Sequence, residues 1–146
     1  MIYLDNGATS FPKPLSVRQN VDISLKKFSA NPGRSGHSLS LRAAKEIFEC
    51  RKRLKELFNV NSEEEIIFTE NCTMALNTVI FGLLSEGDHV LISSMEHNSV
   101  TRPLESLKDK GVTYSTFDYS YDDNETVDNV RNLIKPETKL VICTHA

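Results

Sequence analysis

The chain has 146 residues, 39% of them apolar and 25% charged, with a net charge of −3 and a pI near 5.8. That length suits one domain with a respectable core, and the charge balance gives no electrostatic reason to expect nucleic acid or an anionic membrane as partner. No apolar run is long enough for a transmembrane span and MIYLDNGATS is no charged-then-apolar leader, so a cytoplasmic protein is expected.

Residues 1–15 read as an N-terminal arm, with a short strand at Ile2 to Leu4 and then DNGATSFPKP, whose Gly and Pro residues preclude regular structure. From Ser16 to Phe28, Val17, Val21, Leu25 and Phe28 fall on one helical face. ANPGRSGHS is a loop by composition. The next pattern predicts a long amphipathic helix with Leu41, Ala44, Ile47, Phe48, Leu54, Leu57 and Phe58 as its buried stripe. Ser38 or Ser40 is the expected cap. Ile66 to Phe68 read as a buried strand, and Met74 onward as a helix carrying Leu76, Val79, Ile80, Leu83 and Leu84 at helical spacing. Between them Thr69 to Thr73 form a polar corner.

Beyond this point strands and helices alternate. Asp88 to Ser94 is a strand, and a helix runs from Ser99 or Arg102 to Lys110 with Gly111 closing it. Val112 to Asp118 is a strand, Val127, Val130 and Ile134 mark a helix, and Lys139 to Thr144 is a strand. Such alternation predicts an α/β domain with a mainly parallel sheet. Cys50, Cys72 and Cys143 are odd in number and widely spaced, which suggests neither a disulfide framework nor a metal site.

Ligands of such sheets sit at the carboxyl ends of the strands. That rule selects Thr69–Thr73, Ser93–Ser99, Asp118–Asp123 and Thr144–Ala146. The first offers free backbone N–H groups at a helix start beside the Thr73 hydroxyl, an anion site for which phosphate is the usual occupant. The plainer reading is that Asn71 or Thr73 merely caps the helix. Neither G-x-x-x-x-G-K-[ST] nor G-x-G-x-x-G is present. At the second, His97 stands just past a strand, where its imidazole can face a ligand; Glu96, Asn98 and Ser99 read as turn or cap residues. His37 and His89 start from a structural reading, and His145 rates higher as a strand-end residue. A phosphate cradle and a flat aromatic at adjacent strand ends would grip a phosphorylated ring such as pyridoxal phosphate (PLP).

Five segments then carry a resemblance. YLDNGATS, NPGRSGHSLS, EIIFTENCTMALN, GDHVLISSMEHNSVTRPLESL and KLVICTHA are similar, in order and spacing, to the class V aminotransferases, and within them to the cysteine desulfurases. The resemblance implies a PLP-dependent transferase-like large domain with a mainly parallel sheet, of which residues 16–146 are the N-terminal portion. It implies conversion of L-cysteine to L-alanine with the sulfur left as an enzyme-bound persulfide. Selenocysteine lyases and other aminotransferases of the class share these segments, and a catalytically dead truncated product is a further alternative.

The resemblance also implies roles. Thr73 and the backbone N–H of Cys72 match the phosphate-binding corner. His97 matches the histidine that stacks on the pyridine ring and moves protons. Asn6, Gly7, Ala8, Arg34 and His37 match segments near the substrate, and His145 opens a motif leading to another cofactor contact. A homodimer, a sulfur-acceptor protein and a place in sulfur metabolism such as iron–sulfur cluster assembly are implied as well. Asn71, Cys72 and Met74 depart from the Gly, Ala or Thr, and Glu usual around the phosphate-binding Thr, and Gly7 replaces the commoner Ala. Asn71 is expected to fit if the corner is left-handed. No lysine here matches the Schiff-base position, and neither the nucleophilic cysteine nor the carboxylate-gripping arginine of the family is matched. The chain by itself is therefore expected to be inactive and to leave strand edges unpaired.

Overall fold

The computed structural model describes residues 2–33 and 36–144. It divides into two compact units, residues 1–68 and 69–146.

In the first unit the strand expected at Ile2–Leu4 does not form. No partner strand is described beside it, and the arm satisfies its backbone locally instead. The N–H groups of Ala8 and Thr9 donate to the Asp5 carbonyl, the Tyr3 hydroxyl donates to the Thr9 carbonyl at 3.0 Å, and Tyr3 packs edge-on against Phe11. Helix α1, Leu15–Lys27, starts after Pro14, whose missing N–H costs a helix start nothing. Its apolar positions Val17, Val21 and Leu25 are exposed.

Helix α2, Ser38–Phe58, is as long as its pattern predicts, but neither serine caps it. His37 does, its Nδ1 accepting the Ser40 N–H at 3.2 Å. Asn59, in the left-handed region at φ 52°, ends the helix, as suits a short polar side chain. The stripe is also corrected. Leu41 and Leu57 are 61% and 73% exposed, whereas the small Ser40 and Ala43 are buried. Apolar periodicity marks the face that seeks cover, and nothing among the described residues covers this one. A single 3₁₀ turn, Glu63–Glu65, follows, with the Ser62 hydroxyl accepting the Glu64 N–H. Ile66–Phe68 are extended but unpaired and partly exposed, so the expected buried strand is absent as such. A strand exists only through its ladder partner, and none is described there.

The second unit holds helix α3 (Cys72–Leu83), strand β1 (His89–Ser93), helix α4 (Asn98–Lys108), strand β2 (Thr113–Phe117), helix α5 (Asp123–Leu133) and strand β3 (Thr138–Ile142). The sheet is parallel throughout, in the order β2–β1–β3. Every residue of β1 is buried, as a central parallel strand covered on both faces must be. Val90 and Ile92 face a core completed by Ile80 of α3 and Leu84 just past it, Val100, Leu104 and Leu107 of α4, and Val112. Packing α3 and α4 on one face in this way fixes their amino ends near the carboxyl end of β1. At the other end of β1, His89 is fully buried and bonds both neighbouring strands, Nδ1 2.8 Å from Thr138 Oγ1 and Nε2 2.9 Å from Ser115 Oγ. Its role is structural: it clasps the three strands together.

Candidate functional site

The polar corner before α3 is built by Asn71. Its Oδ1 accepts the Met74 N–H at 2.9 Å, and its carbonyl accepts both the Ala75 N–H at 3.1 Å and the Thr69 hydroxyl at 2.9 Å. The plain capping reading is thus correct for Asn71, yet the cap consumes only one first-turn amide. The N–H groups of Cys72 and Thr73 have no acceptor among the described residues. They face solvent at the positive end of a 12-residue helix. Asn71 lies at φ −163°, extended backbone that any residue adopts, so it fits without the left-handed corner on which its fit was expected to depend.

His97 terminates the turn after β1 and caps α4, a task the sequence suggested for Asn98 or Ser99. Its Nδ1 lies 3.1 Å from the Ser99 amide nitrogen and 2.9 Å from Ser99 Oγ. Because Nδ1 accepts the amide N–H, the ring proton of this arrangement sits on Nε2. The same bond fixes the ring plane, leaving Nε2 and the ring faces to meet other groups.

Glu96, which reads in sequence as a turn residue, is a brace. One carboxylate oxygen accepts the Ser93 hydroxyl and, at 2.7 Å, the Thr144 N–H; the other accepts the Thr144 hydroxyl at 3.2 Å. Tyr119, just past β2, donates to the Thr144 carbonyl at 2.7 Å. The carboxyl ends of all three strands are thereby tied, and the turn bearing His97 is anchored. No motif announces this role; the only signal is a carboxylate next to a strand-end histidine.

Thr73 and His97 come together on one open cleft of about 370 Å³ between α3 and α4, with Asn77, Phe81, Arg102 and Ser106 further along it. Among the described residues no carboxylate lines it. Arg102 makes no hydrogen bond or ion pair with any described residue. Cys72 does not line this cleft but a second, apolar one, with Val79, Leu140–Ile142 of β3 and Cys143 just past the strand. Asn6, Gly7, Ala8 and His37 belong to the first unit. There the Asn6 carboxamide accepts the Phe11 N–H at 3.1 Å and His37 caps α2. Arg34 and His145 lie outside the described residues. Among the described residues no group of three or more His, Cys, Asp or Glu side chains is placed to hold a metal, and no helix is long and apolar enough to cross a membrane.

The sequence matches the aminotransferase class-V family over residues 2–146. The chain belongs to that family. It is 34% identical over 99% of its length to a probable cysteine desulfurase of Methanothermobacter thermautotrophicus. The apo cysteine desulfurase of Thermococcus onnurineus NA1 superposes on 99% of it with a TM-score of 0.82 and 30% identity. A mutant of C-DES with glycine covalently linked to its PLP cofactor superposes on 89% with a TM-score of 0.64 and 23% identity, a likeness of fold. The class-V chain spans about 36% of the first two relatives' length and 33% of the third's. The resemblance read from the five segments and the α/β fold with a parallel sheet are both correct.

Proposed function

We propose that this class-V chain supplies the phosphate-binding and ring-facing part of a PLP site in an enzyme that takes sulfur from L-cysteine, leaving L-alanine and a persulfide. The observation that carries the proposal is the sharing of one cleft by Thr73 and His97, with two free amides at the helix end where Thr73 stands. The residues present fit the cofactor. The Cys72 and Thr73 N–H groups and the Thr73 hydroxyl are available as donors, the α3 dipole favours negative charge, and among the described residues no lining carboxylate opposes it. When bound, PLP supplies an electron sink for bond breaking at the substrate's α-carbon.

The chain's own residues do the holding. Thr73 and the two amides fix the phosphate, and His97, locked through Nδ1 onto Ser99, presents a ring of set orientation with a proton at Nε2. The cap, rather than solvent, sets which ring nitrogen carries that proton. Glu96 keeps the His97 turn in place through Thr144. Asn6 to Ala8, Arg34 and His37 are proposed to lie near the substrate and His145 to contact the cofactor. A homodimer, a sulfur-acceptor protein, iron–sulfur cluster assembly as the pathway and a cytoplasmic location belong to the same proposal.

The test is Thr73→Ala in the whole protein. Retention of PLP through dialysis, followed by the cofactor's absorption, should fall by about tenfold, the loss of one charge-assisted hydrogen bond. Retention equal to wild type would remove the basis of the proposal. Appearance of alanine from L-cysteine then separates a desulfurase from other activities of the class.

A further inference from the structure

We propose that Arg102 is a further phosphate-binding residue, for which Asn77 Oδ1, on the same cleft, is a second acceptor once an anion is bound; the inference rests on the PLP reading above. Three observations converge on it. Among the described residues Arg102 is the only Lys or Arg lining the Thr73–His97 cleft, and it has no ion-pair or hydrogen-bond partner there. Asn77 lies one turn beyond Thr73 on the same face of α3, and its Oδ1 is buried without a hydrogen-bond donor. An orphaned buried acceptor is costly and calls for a donor. The third observation is that no carboxylate lines the cleft among the described residues, so nothing there competes with an anion for the guanidinium.

A guanidinium has five N–H donors in a rigid fork. In the structure neither Arg102 nor Asn77 Oδ1 is bonded; with a phosphate at the α3 end, one edge of the fork would meet a phosphate oxygen and the other would satisfy Asn77 Oδ1, which makes Arg102 the binding residue and Asn77 a positioning residue. Lysine has the charge and three donors but not the planar fork, so it bridges the two partners less well.

The experiment compares PLP with pyridoxal, which lacks the phosphate, on the whole protein and on Arg102→Gln, Arg102→Lys and Asn77→Ala, with Thr73→Ala alongside. Affinities are read by absorption titration, and circular dichroism confirms that each variant is folded. Arg102→Gln is expected to weaken PLP by about tenfold to a hundredfold and leave pyridoxal unchanged. Arg102→Lys and Asn77→Ala should weaken PLP less, with the same indifference to pyridoxal. If Thr73→Ala weakens PLP and Arg102→Gln does not, the inference fails while the cofactor reading stands. Equal losses for PLP and pyridoxal in Arg102→Gln would also overturn it, because the arginine would then not be reading the phosphate. If neither Thr73→Ala nor Arg102→Gln affects PLP, the cofactor reading itself falls.

Discussion

The Nδ1 of His97 accepts the backbone N–H of Ser99 at 3.1 Å, so one imidazole both caps α4 and faces the cleft where Thr73 stands. The two tasks separate by mutation. Asparagine is among the favoured N-cap residues, whereas alanine is poor, and losing a cap costs about 0.5–2 kcal/mol. His97→Asn should therefore melt near the wild-type temperature and His97→Ala below it. Both lose the ring, and with it a stacking contribution of about 0.5–1.5 kcal/mol, so PLP retention should fall in both. Thermal melts of the apo-protein and dialysis of the loaded protein read the two effects separately. A melt of His97→Ala unchanged from wild type would show that the cap contributes nothing.

His89 gives the second unit a pH-dependent clasp. Burial is the main cause that holds its pKa below the ordinary value of 6.5; nearby Lys135 adds to the shift and Glu137 opposes it. The unfolded chain therefore binds the proton more readily than the folded one. The contribution of His89 is fully present above about pH 6.5 and is lost as pH falls through the lower, folded-state pKa. Melting temperature measured from pH 7.5 downward should drop, and His89→Gln should flatten that dependence, since Gln does not titrate. The difference between wild type and variant is the informative quantity, since it cancels what the rest of the chain contributes to both curves. Parallel curves for the two proteins would rule the clasp out as the source.

The second unit was the more legible in sequence, because its pattern is enforced locally. Val90, Leu91 and Ile92 are buried on both faces, Leu104 and Leu107 turn to the core at helical spacing, and Gly111 ends a helix as its backbone demands. The pairing of Thr73 with His97 followed from placing ligands at strand ends, a rule of topology that a sequence carries. The caps were not legible. Histidine ranks low among capping residues, so Ser38, Ser40 and Ser99 drew attention from His37 and His97, which hold the geometry. Ile66–Phe68 and the α2 stripe failed for another reason: strand pairing and helix burial depend on partners that local pattern does not contain. Glu96 was missed because its partner Thr144 is 48 residues away.

Asn71 tests the backbone of the phosphate corner. At φ −163° it needs no glycine, and its side chain earns its place by accepting the Met74 N–H. Asn71→Ala should cost about 0.5–2 kcal/mol, while Asn71→Gly, still a tolerable cap, should cost only a few tenths. Urea unfolding of both variants provides the comparison. Marked stabilisation by Asn71→Gly would mean that the corner is left-handed after all, since only there does glycine relieve strain.

Gly111 joins two turns at the amino end of the sheet. Its N–H donates to the Lys108 carbonyl at 2.9 Å and its carbonyl accepts the Gly87 N–H at 3.0 Å, which links the turn before β2 to the turn before β1. It sits at φ +81°, and a Cβ there would lie 2.7 Å from Cγ of Glu86. Two costs are therefore expected in Gly111→Ala: about 1–2 kcal/mol for the left-handed backbone, and a further cost for moving Glu86. Glu86→Ala removes Cγ but leaves Glu86's own backbone in place, so a double-mutant cycle divides them. Chemical denaturation should show Gly111→Ala costing more in the wild-type background than in Glu86→Ala. Equal costs in both backgrounds would mean that the Glu86 side chain swings clear freely, and the backbone conformation alone would then explain why a glycine stands at this junction.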